Sequence, residues 1–274
     1  MDQNELKRVL FSIKEEGYEV PGNIKPFDLA LDMLTYIGTT ESELRDDLIY
    51  VTFYKWIIND EFNKDELRKI VKIALDDEHL FYKLGEVGDS VFTRTFSVLV
   101  LALLVYKHRE DNYLSKENIN RIYNKVIKYI REEKDLRGYT EEKGWAHGMA
   151  HGADVLDELA QCDELEKDNL IIILDDIQNK ISINYHPYIY EEDERMVTAV
   201  MSILNRDLID EEEILGWIEN FSNILEEDEF TDKLIKYFNI KNFLRSLYFR
   251  LLKDSSKEAL IDKTKKILDV ITHF

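Results

Sequence analysis

Apolar residues recur at three- and four-residue steps along almost the whole chain, and the rhythm breaks at glycines, prolines and capping residues. Leu6, Val9, Leu10 and Ile13 draw the first stripe, which stops at Gly17; Pro21-Gly22 and Pro26 punctuate the loop behind it. Further helices are predicted over 27–37, 41–59, 63–75, 89–108, 115–134, 143–161, 166–180, 191–205, from 210, over 232–252 and from 255 onward. Several open on side chains that accept backbone N–H groups. Thr40-Glu-Ser-Glu43 and Asn63-Lys-Asp-Glu66 read as capping boxes, and Ser115 as a simple cap. The Tyr- and Pro-bearing stretch 182–190 reads as a loop, and no segment alternates like a strand. The expected fold class is all-α.

Pairing the helices exposes a repeat. A basic residue stands near the start of every second helix: Arg45, Arg94, His147, Arg195 and Arg245, at spacings of 49, 53, 48 and 50 residues. A period of about 50 residues fits a repeated helical hairpin. The expectation is one helical-repeat domain over 1–274, a curved α-solenoid of stacked hairpins (a HEAT-like αα superhelix), with an αα-toroid as the alternative. In a solenoid alternate helices form the inner wall, and the loops feeding one rim carry His79, Arg137, Tyr139, Tyr185, His186, Tyr188 and Tyr190.

Composition narrows the function classes. Ten glycines and three prolines in 274 residues are too few for a turn-rich β fold, while 45% hydrophobic residues supply a sizeable core. A net charge of −20 argues against nucleic acid and anionic membrane surfaces as partners. The longest apolar run, 96–106, is too short to span a bilayer and suits a buried core helix. No basic segment followed by an apolar one opens the chain, and Cys162 is the single cysteine, which excludes an internal disulfide. A cytoplasmic, reducing location is the expectation.

Candidate chemistry concentrates in Asp135-Leu-Arg-Gly-Tyr139 and Gly144-Trp-Ala-His147, continuing to His151 and Asp154. On a helix, His147, His151, Asp154 and Glu158 share one face, so His147, His151 and Asp154 are candidate ligands for a divalent metal. The same histidines also fit a non-metal polar pocket, the leading reading, or plain packing, and the His-Glu-x-x-His motif of zinc hydrolases is absent. Small residues at Gly148, Gly152 and Ala153 allow a neighbouring helix to approach closely. Arg94 opens the most apolar helix and needs a carboxylate, solvent or a ligand anion; Arg195 and Arg245 stand in similar positions. These arginines serve either as ion-pair partners, with Asp46, Asp89 or Glu192 for example, or as an anion-binding wall. Trp145 and the tyrosines of 182–190 form either the lip of a pocket or a cover over the core.

The strings Leu44-Arg-Asp-Asp-Leu48, Phe92-Thr-Arg-Thr-Phe-Ser-Val-Leu99, Asp135-Leu-Arg-Gly-Tyr139, Gly144-Trp-Ala-His147, Ala150-His-Gly-Ala-Asp154, Asp193-Glu-Arg-Met196 and Asn242-Phe-Leu-Arg-Ser-Leu-Tyr248 together resemble a bacterial family known as domain of unknown function 2785. The resemblance spans about residues 44 to 248 and implies a helical fold without a defined activity.

The leading expectation is a cytoplasmic binding module. Its concave polar pocket takes an anionic small ligand or a peptide on Arg94, Arg137, Tyr139, Trp145, His147, His151, Glu192, Arg195 and Arg245. The alternative is a metal-dependent hydrolase with His147, His151 and Asp154 as ligands and Glu158 or Glu192 as base. A third is an assembly scaffold for other proteins.

Overall fold

A computed structural model describes residues 1–226 and 233–272. Twelve α-helices carry nearly all of the regular structure among the described residues, so the all-α expectation holds. The chain divides into two compact units, Met1–Leu159 and Ala160–Phe274.

The first unit opens with α1 (Gln3–Glu15) and α2 (Pro26–Thr35). A π-helical segment, Glu43–Tyr50, runs straight into α3 (Val51–Ile58), and α4 spans Lys64–Ala74. The capping box at Asn63 and Glu66 forms as the sequence predicts. α5 (Ser90–Asp111) is the core helix and packs against α3 and α4. By length and composition it is apolar enough to cross a membrane, but 78% of its apolar window is buried inside the protein. α6 (Lys116–Glu132) follows, capped by Ser115, whose hydroxyl accepts the Asn118 N–H at 3.3 Å.

The predicted helix from 143 starts late. Residues 139–145 form a small antiparallel hairpin of β1 (Tyr139–Thr140) and β2 (Gly144–Trp145), and α7 covers Gly148–Ala160. The close helix approach expected at the small residues of α7 is present. A Cβ on Gly152 would lie 2.5 Å from Ile130 Cδ1, and one on Gly148 would lie 3.0 Å from the Asp135 carbonyl.

The second unit contains α8 (Lys167–Ile181), α9 (Glu192–Asn205), α10 (Glu211–Glu226), α11 (Lys233–Leu251) and α12 (Glu258–Ile271). α11 packs against α8, α9, α10 and α12. Its core includes the ring cluster of Trp217, Phe221 and Phe243, with centroids 5.4 to 6.2 Å apart. Arg206 closes the start of the unit by donating to the carbonyls of Ala160, Cys162 and Leu165 at 2.8, 2.7 and 3.1 Å.

Candidate functional site

Behind α6 the chain runs as a strap from Glu133 to His147, and buried charges fix its path. Arg94 and Glu133 are both fully buried and pair through two hydrogen bonds, Nε to Oε2 at 2.6 Å and Nη2 to Oε1 at 2.8 Å. The remaining N–H groups of Arg94 go to the carbonyls of Tyr82, Lys83 and Glu86 and to the Ser90 hydroxyl, at 2.9–3.1 Å. Arg94 is therefore a clamp with its donors spent on its own chain, and it offers none to a ligand anion. Of the two roles the sequence leaves open for it, ion pairing is the one realised.

That clamp shapes a polar cavity of about 760 Å³, walled by the end of α2, the loop 78–89 and the first turn of α5. Lys83 in its wall holds left-handed backbone, at φ 48°. His79 lines the cavity, its Nδ1 2.7 Å from Asp76 Oδ1.

The strap then turns on a second pair, in which only the carboxylate is buried. Asp135 accepts from Arg137 Nε at 2.8 Å and from the Gly88 N–H at 3.0 Å. Burial pushes the Asp135 carboxyl up, but Arg137 and Gly88 outweigh that and hold it below its ordinary range. Arg137 also donates Nη2 to the Gly88 carbonyl at 3.0 Å, and its side chain stays 38% exposed.

A third arginine holds the hairpin from beneath. Arg45, completely buried, donates Nη1 to the Thr39 carbonyl and Nη2 to the Lys143 carbonyl, both at 2.6 Å. Its guanidinium lies 4.2 Å from the Phe92 ring centroid and 4.8 Å from that of Phe96. Nε sits 2.8 Å from Asp46 Oδ1, an ion pair without hydrogen-bond alignment. Burial raises the Asp46 carboxyl to about 6, against the opposing pull of Arg45 and the Trp145 N–H. Gly144 crosses this pair with φ 73°, and a Cβ there would meet Ser42 Cβ at 2.7 Å and Asp46 Oδ2 at 2.9 Å. Glycine is the residue that fits both the backbone and the space.

On this base stands a continuous ladder of rings. Tyr139 meets Trp145 edge-on at 4.9 Å, Trp145 stacks on His147 at 4.1 Å, His147 meets His151 at 5.5 Å, and His151 meets Phe96 at 5.3 Å. It runs from solvent to core: Tyr139 and Trp145 are 46% and 37% exposed, His147 and His151 are 7% and 5%. His151 donates Nδ1–H to the Thr95 carbonyl at 3.3 Å, which sets its tautomer, since a carbonyl only accepts.

The candidate metal triad does not assemble among the described residues. Among the described residues no group of three or more His, Cys, Asp or Glu side chains is arranged to hold a metal ion. The i,i+4 rule assumes that both histidines are helical. His147 instead precedes α7 with left-handed backbone, φ 49°, and its carbonyl accepts the first helical hydrogen bond, from His151 N–H at 2.9 Å. Both imidazoles then pack into the ring ladder. Asp154 lines a separate groove with Tyr50 and Tyr106, and Glu158 pairs with Arg109.

The remaining predicted site residues belong to the second unit. Glu192 is buried and accepts the Tyr190 N–H at 2.8 Å; burial raises its pKa. Arg195 is half-buried in the first turn of α9. Arg245 departs from the expected phase. It lies in the second half of α11 and is exposed, while its neighbours Ser246 and Arg250 bond Glu194 at 2.6 and 3.1 Å. Of the 182–190 loop, Tyr188 is buried and donates to the Lys180 carbonyl at 3.1 Å, whereas Tyr185 is 61% exposed. Glu133 and Asn239 went unpredicted. Asn239 straps that loop, donating to the His186 carbonyl at 2.9 Å and accepting from Tyr188 N–H at 3.0 Å. The signal for Glu133 was the arginine it neutralises: a cation inside an apolar helix demands a carboxylate from elsewhere.

A family model described as a protein of unknown function, DUF2785, matches residues 80–249. No curated protein and no solved structure matches the chain. The matched span takes in the α5 core helix, the clamped strap, the hairpin, the ring ladder and α9. With well over half of its length matched, the chain belongs to the DUF2785 family of proteins of unknown function.

Proposed function

We propose that this chain is a binding module whose recognition surface is the open end of the hairpin, away from its turn, where Tyr139, Trp145 and Arg137 take an anionic small ligand or a peptide with an acidic group. One observation carries the reading. Two large rings stand exposed on a strap that buried ion pairs hold rigid, next to an arginine whose Nη1 makes no hydrogen bond among the described residues. Rigid aromatic anchors beside a forked donor suit a planar or apolar ligand carrying carboxylate or phosphate. Left-handed backbone at His147 belongs to the same design, because strain of this kind persists where the surrounding structure over-determines it.

The repeat spacing of Arg45, Arg94, His147 and Arg195 supports a solenoid-type stacking of the helical hairpins, and the buried α5 is in keeping with a cytoplasmic protein. The metal-dependent hydrolase has no ligand set to support it among the described residues.

The test is a fluorescence titration with inorganic phosphate, citrate, adenosine monophosphate and a short acidic peptide. Trp56 and Trp217 are buried, so Trp145 is the solvent-exposed reporter. At least one anion is expected to bind saturably. Arg137→Lys, which keeps a cation for Asp135 but removes the fork, should weaken it by roughly 10-fold or more. Absence of saturable binding across the panel, or affinity unchanged in both Arg137→Lys and Trp145→Leu, overturns the proposal.

A further inference from the structure

A second groove in the first unit has the opposite chemistry. It encloses about 370 Å³ and is lined by residues of α3, α5 and α7 together with Tyr50 at the end of the π-helical segment. Three kinds of surface meet there. The buried side chains of Leu99, Ala102 and Leu103 supply an apolar floor from α5. Tyr50, Tyr54 and Tyr106 supply aromatic walls, with Tyr54 and Tyr106 exposed by 41% and 37%. Asp154, Asp157 and Glu158 supply carboxylates along successive turns of α7.

From this combination we infer that the groove is a binding site for a linear aliphatic polyamine. Methylene segments match the apolar floor, and ammonium groups match both tyrosine faces and carboxylates. Carboxylates three and four positions apart on one helix stand about 5–6 Å apart, a spacing that a chain of separated ammonium groups can follow. The rings already attract cations from this protein itself: Lys55 Nζ lies 5.7 Å from the Tyr54 centroid and the Arg109 guanidinium carbon 6.0 Å from that of Tyr106. A carboxylate has about four acceptor positions, so contacts within the protein leave room for an incoming N–H. Burial raises the Glu158 pKa even though Arg109 pairs with it, so a further cation is favoured beside it. The net charge of −20 draws a polycation in from a distance.

That same net charge could hold a polyamine diffusely, and the test separates the two cases. Spermidine is titrated calorimetrically into the full chain at physiological salt. One saturable site is expected. Tyr54→Leu/Tyr106→Leu alters no charge and touches only exposed rings, and should weaken binding about tenfold. Tyr54→Phe/Tyr106→Phe keeps the ring faces and should retain affinity. Asp157→Asn, which leaves the rings in place, should weaken binding several-fold and stands in if the leucine pair lowers the unfolding midpoint. Equal affinity in wild type and the leucine pair, full displacement by magnesium at matched ionic strength, or no saturable heat would overturn the assignment.

Discussion

The buried base beneath the hairpin and the hairpin's exposed open end both use arginine and are held by opposite physics. At the base, Arg45 and Arg94 are wholly buried, their donors turned on backbone carbonyls and on Asp46 and Glu133. At the open end, Arg137 is more than a third exposed, and Trp145 and Tyr139 lie open to solvent. A buried arginine is costly to desolvate, and its return here is one defined path for loops that have no helix or sheet to order them. An exposed one costs little and leaves donors for something else. Identical side chains thus serve as clamp or as contact according to where the chain places them.

The comparison can be broken most severely at the base. Arg94→Met removes the counter-charge of a fully buried carboxylate and should cost about 3–5 kcal/mol in denaturant unfolding. The double variant Arg94→Met/Glu133→Leu should recover most of that loss. A small effect in the single variant would mean that the pair orders nothing. Gly144→Ala comes next. It forces an L-residue to φ 73° and drives a methyl against Ser42 and Asp46, so a loss of about 1–3 kcal/mol is expected, with a changed Trp145 emission.

A pH test sharpens the same contrast. The Asp46 carboxyl titrates at about 6 in the folded chain, above the ~3.9 of an unfolded one. Between those values the native state holds a proton that the unfolded state lacks. Its contribution to stability therefore rises as pH falls from about 6 and is complete below about 4. The size is on the order of 2 kcal/mol. Asp46→Asn should remove that slope from the difference between unfolding free energies measured at pH 4.5 and 7. At the open end the expected effect is smallest: Trp145→Leu should change stability by no more than about 0.5 kcal/mol.

Much of the helical framework was legible in the sequence. Apolar periodicity and the Asn63 and Ser115 caps locate helices correctly, because local hydrogen bonding and a single buried face decide them. The recurring basic residues from Arg45 to Arg195 do stand in or just before the first turns of alternate helical segments, but Asp46 pairs with Arg45 rather than with the arginines for which it was the expected partner. The hairpin was not legible. Residues 143–147 carry a helix-like pattern, and what removes them from the helix is long-range: Arg45 and Asp46, about a hundred residues earlier, take the Lys143 carbonyl and the Trp145 N–H. The misplaced helix start made His147 and His151 look like metal ligands on one face, when His147 in fact stacks on Trp145. Arg245 misled in another way. Its spacing fits the repeat, yet α11 is one continuous helix through that position and the contact to α9 falls to Arg250.

The most direct test of the central claim is the affinity of Trp145→Leu for the anion that wild type binds best, read by calorimetry with unfolding free energy measured alongside. The account predicts affinity lowered by about tenfold or more at unchanged stability. Full affinity in that variant, or a loss that merely tracks lost stability, would contradict the division between a structural base and a binding open end.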